Sequence, residues 1–546
     1  MSLTRSIGNA MSGLRAMSRS AELVSRNISN AQTEGYTQKS LALSHSAPGA
    51  SHGGVRVDGV IRAGDPQLDA ARRREEAQAG ALSTEADALR KIADMLMDPA
   101  GGDGLQDRYR AFENAMRALA DTPESASLRR EAVESADMLA RKLNTLSTDA
   151  RRIRMDADSE IQRQVSEVNR ALREIEKLSR DITAARALGR ETSALEDERQ
   201  RQIDKVNGIV PIKSTTETNG GVQMIAEGGT VLLTPAPQLL SFDPAGDVSG
   251  FGGLKVAGRG FGDPASVAAA GRDVETAFKA TGVGGGTLES LFRIRDEIGV
   301  DFSDQLDALA RDHVQGFQEI EGYQRFYDGT GSGGNDTALL GLFTDGGQRL
   351  VSEADLATAP PALPQNDPLL ADVATLGDAN DATAASFAER LSGLAGRITL
   401  NAAVKADPAL LVEGSAAAGP GAFMVPRAAP DAPAVTLPSA LYAEIIESRD
   451  AATGGRDALG LAGSRRPVDM ISEWISLRES QAGSLEREAG FRRGAAEAVR
   501  EEALAASAVD TDEELRQLLA IEKAYAANAR VLQVADDMLA ALLQST

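Results

Sequence analysis

The chain has 546 residues, 42% of them hydrophobic, enough apolar material for packed cores in roughly two to four domains. It carries 58 basic against 80 acidic side chains, a net charge of −22 that phosphate backbones would repel, so no nucleic-acid partner is expected. Zero Cys excludes disulfides, thiolate metal sites and Cys nucleophiles, and three His (His45, His52, His313) leave little for a zinc site or a catalytic dyad. The expectation is a protein with no cofactor, no metal and no enzymatic chemistry. Aromatics are only 4%, with Trp474 the single Trp, which suits long helices packed through small side chains.

No apolar run of about 18 residues exists, so neither a transmembrane helix nor a membrane partner is expected. Residues 1–9 lack the continuous apolar core of a cleavable secretory signal, which predicts a cytoplasmic chain or export by a route that removes nothing.

In chain order, the first element is a helix. Leu3, Ile7, Ala10, Leu14, Met17, Ala21, Val24 and Ile28 alternate spacings of four and three, the repeat of a coiled-coil seam. The last thirty residues repeat the pattern with Leu518, Ile521, Tyr525, Asn528, Leu532, Ala535, Leu539 and Leu542, where Asn528 is the polar interruption that sets register in coiled coils. Two such stripes at opposite ends of one chain predict that they pair. Residues 1–44 carry five basic side chains against Glu22 and Glu34, whereas 513–546 carry three basic against five acidic ones; the opposite signs favour pairing weakly.

From Pro66 to about Asn207 the pattern is helical and heavily charged. Pro66 opens a helix whose face runs through Leu82, Leu89, Ile92 and Leu96. A second helix carries Leu105, Tyr109, Phe112, Met116 and Leu119, and Asp121-Thr122-Pro123-Glu124 reads as the start of a third. That third helix keeps heptad spacing from Leu139 to Ala157, steps by four to Ile161 and Val165, then resumes at Val168, Leu172 and Ile175: a long rod. After Pro211, Val222 and Met224, the turn Glu227-Gly228-Gly229, then Val231 and Leu233 predict a β-hairpin. Helix returns over 288–323 and again over 470–508. Residues 326–465, rich in Gly, Pro, Ala and Asp, read as a separate outer domain, mixed or mostly β.

The fold class that results is multidomain and mainly α with β insertions: a terminal domain (1–62 plus 509–546) with the end helices paired as a coiled coil, a helical bundle (63–325 plus 466–508) with a small β subdomain at about 211–286, and the outer domain at 326–465. Candidate chemical sites fail on spacing. Gly258–Gly262 and Gly282–Gly286 do not precede Gly-Lys-Ser/Thr, and Asp328–Asp336 lacks the later Glu of a calcium loop. His313 has no His or Cys one helical turn away.

The N-terminal stripe ends in Asn27-Ile28-Ser29-Asn30 and then Thr33-Glu34-Gly35-Tyr36. This resembles the signature of the bacterial flagellar axial proteins of rod, hook and hook-associated type. Asn27 and Asn30 can bond backbone where the helix stops, and Gly35 can take a positive φ. Tyr525–Asn528 resembles the matching C-terminal signature. The helix-rich stretch after the first signature, Leu195–Ile203, Leu288–Glu297 and Gln305–Ala310 resemble the hook-associated protein of the hook–filament junction, although Glu196-Asp197-Glu198 stands where that family usually has Asp-Gln-Arg.

The resemblance covers about residues 1–325 and 470–546. It implies a non-enzymatic subunit secreted without a cleaved signal peptide and located in the bacterial flagellum, at the hook–filament junction. Implied partners are the hook protein, a second junction protein on the filament side, copies of itself in a ring, and an export chaperone at the C-terminal helix. The implied assembly interface is Leu3, Ile7, Leu14, Met17, Val24 and Ile28 with Leu518, Ile521, Tyr525, Asn528, Leu532, Leu539 and Leu542, and the signature residues are Asn27, Asn30, Gly35 and Tyr36. A hook subunit is the nearest alternative. A hydrolase carried in 326–465 is the distant one, disfavoured because that segment contains no His.

Overall fold

The computed structural model describes residues 3–33, 36–45, 54–98, 101–188, 190–256, 272–273, 285–317, 341–347, 392–414, 437–446 and 466–544. It is mostly helical, with small antiparallel sheets.

The axis of the bundle is a 62-residue helix, α4 (Ala126–Ala187). Every position of its heptad run, from Leu139 through Ile153, Ile161 and Val168 to Ile175, is buried, so the whole stripe is spent inside the chain. Helices α2 (Pro66–Met97), α3 (Leu105–Asp121) and α5 (Ser193–Ile209) pack along the same core. Pro66 opens α2 as expected, with the Asp65 carboxylate accepting from the Gln67 N–H at 2.7 Å. The start of α4 falls later than the sequence suggests. Residues 122–125 form a turn closed by the Ser125 N–H to the Thr122 carbonyl, and the Ser125 hydroxyl, not an Asp-Thr-Pro cap, receives the Leu128 N–H.

The hairpin predicted after Pro211 is present as β4 (Val222–Ala226) and β5 (Val231–Thr234), with Met224 opposite Leu233. It belongs to a larger meander: β3 (Ile212–Thr216) and β6 (Ala236–Pro237) flank it, and β7 (Leu240–Ser241), β8 (Lys255–Val256) and β9 (Arg272–Asp273) form a second sheet. Asn169 on α4 pins that second sheet by bonding both the N–H and the carbonyl of Leu240, at 2.8 and 2.7 Å.

The predicted helix from 288 onward is α6 (Thr287–Arg293), a π-helical turn (Ile294–Ile298) and α7 (Gly299–Gly316). The wide turn places Arg295 inside. Its guanidinium donates to Asp158 of α4 at 2.9 Å and stands 4.8 to 5.7 Å from the ring centres of Phe292, Phe251 and Phe242. His313 is a core residue, its Nδ1 2.7 Å from the Leu309 carbonyl oxygen and its ring edge-on to Tyr109 and Phe343.

The separate outer domain expected at 326–465 needs correction for the residues described there. The pair β10 (Phe343–Asp345) and β11 (Ile398–Leu400) lies on α4, where Asn144 donates to the carbonyls of Ala395 and Ile398. Phe343, Leu394, Ile398 and Val404 are buried in the bundle core, as is Leu441 of α10 (Leu437–Ile446), which packs on α3. Between β11 and α10, two short helices, α8 (Ala402–Ala406) and α9 (Leu410–Glu413), add Leu411 to that core. Short apolar runs among Gly and Pro read as an independent domain in sequence; in space they are pieces of one core. The remaining residues of 326–465 lie outside the described residues.

The chain returns through α11 (Pro467–Ser507), which runs antiparallel along α2, the two joined at Arg90–Glu486 and Ser83–Arg493. Beyond it, α12 (Thr511–Gln544) opens with the Asp510 carboxylate accepting from the N–H groups of Asp512 and Glu513, and lies against α1 (Leu3–Asn30). The hairpin of β1 (Lys39–His45) and β2 (Val55–Arg62) packs on α1.

Candidate assembly interface

The two end helices meet as an antiparallel pair. Asn27 of α1 bonds Glu514 at the start of α12, and Gly13 lies beside Asn528 farther along. The residues that close the contact on α1 are small: Ala10, Gly13 and Ala16 are buried, followed by Leu23, Val24 and Asn27. Of the expected interface residues, Val24 is therefore buried, whereas Ile7, Leu14, Met17 and Ile28 are only half-buried. On α12, Ile521 is buried, Leu518, Asn528 and Leu532 are half-buried, and Tyr525 and Leu539 are exposed. The side chains of Leu3 and Leu542 lie outside the described residues.

A second apolar set follows α12 away from this seam. Leu515, Leu519, Val534 and Met538 are about half exposed, at 49%, 57%, 57% and 51%. Large apolar side chains left that open on one helix form a candidate contact surface.

The signature residues build a polar knot at the root of the pair. Asn27, fully buried, uses all four of its hydrogen-bonding capacities. Its Nδ2 donates to the Lys39 carbonyl and to Glu514 Oε1, both at 2.8 Å, while its Oδ1 accepts from the Lys39 N–H at 3.2 Å and from the Tyr36 hydroxyl at 2.9 Å. Burial, reinforced by the nearby charges of Asp197, Glu191 and Glu514, pushes the Tyr36 phenol up from its ordinary value, so it remains a neutral donor. Asn30 behaves as the sequence suggests, its Nδ2 donating to the Arg26 carbonyl 2.9 Å away. Gly35 lies outside the described residues.

Four further members of the knot carry no heptad signal. Gln38 donates to Glu514 Oε1 at 2.8 Å, and Lys39 forms a buried ion pair with Asp197 of α5 at 3.3 Å while lying 4.5 Å from the Tyr36 ring centre. Thr37 donates to the same Asp197, and Arg26 pairs with Glu191. The end helices, the first strand and the bundle are thus joined at one place. A cleft lined by Arg26, Asn30, Tyr36, Lys39, Glu191 and Asp197 opens beside it. Among the described residues, no group of His, Asp and Glu is placed to hold a metal, and no helix is long and apolar enough to cross a membrane. The arrangement joins helices.

Comparison with known proteins points the same way. Residues 89–336 match the family model described as the flagellar hook-associated protein FlgK helical domain, and residues 500–545 match that of the flagellar basal body rod FlgEFG protein C-terminal region. The chain is 25% identical over 236 residues to flagellar hook-associated protein 1 of Bacillus subtilis, covering 41% of this chain and 46% of that protein. It is 26% identical over 250 residues to the protein of the same name from Salmonella typhimurium, covering 44% and 45%. The matched part spans about half the length of these relatives. A solved structure, the flagellar hook junction protein FlgK from Burkholderia pseudomallei, aligns with a TM-score of 0.40 at 20% identity, over 51% of this chain and 46% of that one. The bundle around α4 is thus similar to the helical domain of the FlgK hook-associated proteins, and α12 to the C-terminal region of the flagellar rod proteins.

Proposed function

We propose that this protein is a structural, non-enzymatic subunit that joins hook to filament in the bacterial flagellum. The observation that carries the reading is the half-satisfied terminal pair: α1 and α12 meet through small residues, and Leu515, Leu519, Val534 and Met538 are left open along α12. Such a pair gains its missing burial from neighbouring subunits, at ~25 cal/mol per Å² of apolar surface covered. On this reading Leu3, Ile7, Leu14, Met17, Val24 and Ile28 with Leu518, Ile521, Tyr525, Asn528, Leu532, Leu539 and Leu542 contribute to assembly contacts, held in place by Asn27, Asn30, Gly35 and Tyr36. The end helices form the assembly domain and the bundle with its sheets the body.

The partners proposed are the hook protein, a second junction protein on the filament side, further copies in a ring, and an export chaperone that shields the apolar face of α12 before assembly.

The test is a double substitution on the open face, Leu519→Asp with Val534→Asp, in a strain lacking the chromosomal copy. Cells are expected to lose swimming and to shed unassembled filament protein into the medium, with full-length variant present outside the cell. Normal swimming would refute the reading.

A further inference from the structure

Two points of contact between α1 and α12, a close steric fit at Gly13 and Asn528 and a hydrogen bond from Asn27 to Glu514, are spaced alike on both helices. Gly13 to Asn27 is fourteen residues on α1, and Glu514 to Asn528 is fourteen on α12, which is two heptads. This spacing matters because a heptad seam has a translational ambiguity. Between the two points α1 offers Ala16, Met17, Leu23 and Val24, and α12 offers Leu518, Ile521 and Tyr525, apolar sets that would meet almost as well after a slip of seven residues.

Neither the steric fit nor the hydrogen bond survives such a slip. A Cβ at Gly13 would stand 2.9 Å from Asn528 Nδ2, so a side chain there would displace that amide from the position in which its Nδ2 donates to the Ala524 carbonyl. Sliding α12 by a heptad sets either Ile521 or Ala535 against Gly13. At the other point, Asn27 would lose Glu514, and the fully buried Glu514 would lose both Asn27 and Gln38. Glu514 already keeps one carboxylate oxygen buried without a hydrogen-bond partner among the described residues, so it has nothing to spare. Lys39, bonded to Asn27 through its backbone and to Asp197 through its side chain, then ties this point to the bundle.

We propose that Gly13 with Asn528 and Asn27 with Glu514 form a two-point register lock. The lock fixes the axial position of α12 on α1, and hence the height at which each subunit presents Leu515, Leu519, Val534 and Met538 to its neighbour in a second copy of this chain. This rests on the reading of α12 as an assembly surface. Gly13 and Glu514 are positioning residues, acting through the seam rather than by touching the partner.

A chain without Cys allows a direct test. Full-length purified protein is given Met17→Cys with Ala524→Cys, which meet in the native register, or Met17→Cys with Gln517→Cys or Val531→Cys, which meet after a slip of one heptad either way. Disulfide formation in dilute glutathione buffer is followed on gels. With the lock intact, only the 17–524 pair should close readily. With Asn27→Leu, Glu514→Leu and Asn528→Leu added, the polar penalty for slipping disappears, and the slip pairs should close about tenfold faster or more. Glu514→Gln keeps an acceptor for Asn27 and Gln38 and should retain the native pattern, while circular dichroism checks that each variant is helical. Slip pairs that stay silent without the lock, or that close equally fast with it, overturn the proposal. Slipped cross-links in a variant that still swims would overturn the link between register and assembly, independently of the Leu519→Asp and Val534→Asp result, which tests the surface itself.

Discussion

Helix α4 and the terminal pair carry the same sequence signal and meet opposite fates. Along α4 the stripe from Leu139 to Ile175 is buried by other parts of the chain. Among the described hydrophobic side chains of α12 only Ile521 and Ala535 are buried, and Leu515, Leu519, Val534 and Met538 stay open. A heptad stripe therefore states how much partner a helix needs, and not whether that partner lies in the same chain. The described part of the bundle covers its own stripe, whereas the terminal pair leaves much of the apolar surface of α12 open.

That contrast can be broken or sharpened by substitution. The largest effect should come from the bundle: Leu172→Ala, at a fully buried point of α4, is expected to cost about 2–5 kcal/mol of stability in urea unfolding. Phe343→Ala should fall in the same class, about 3–5 kcal/mol, because its ring packs against Phe112, Phe317 and His313 although it comes from a segment that reads as peripheral. Only a small loss there would restore a separate outer domain.

Next is Asp158→Ala. It leaves the buried Arg295 guanidinium with Asp296, the Gly252 carbonyl and three aromatic faces, at an expected cost of about 3 kcal/mol by the same unfolding assay. A smaller effect is expected from removing 348–391 with a short linker. Asp345 pairs with Ile398 and the Gly346 N–H reaches the Arg397 carbonyl, so the ends to be joined are already neighbours and stability should change by about 1 kcal/mol or less. Removing all of 326–465 would instead strip Phe343, Ile398 and Leu441 from the core and should prevent folding. The smallest effect on the free subunit belongs to Leu519→Asp, at an open position, expected within about 0.5 kcal/mol.

Much of the bundle was legible in the sequence because its periods are long and its caps conventional: the α4 rod, the Pro66 start and the hairpin after Pro211. The β10–β11 pair was not, because burial of a three-residue strand such as Phe343–Asp345 depends on which helix it lands on. In the terminal pair, counting large apolar residues favoured Leu14 and Met17, but the close approach of two helices selects Gly13 and Ala16, whose small size carries little hydrophobic signal. Asn27 and Tyr36 were visible as a signature. That Asn27 pairs with Glu514 was not, since a contact across 487 residues leaves no local pattern.

The most direct test of the account is amide hydrogen exchange on two samples, purified subunit and protein assembled in isolated hook–filament structures. In the free subunit the amides of α12 should exchange far faster than those of α4, because few of its side chains are buried. After assembly the α12 amides should become strongly protected, with α4 unchanged. Equal protection of α12 in both samples would contradict the claim that neighbouring subunits complete the terminal pair.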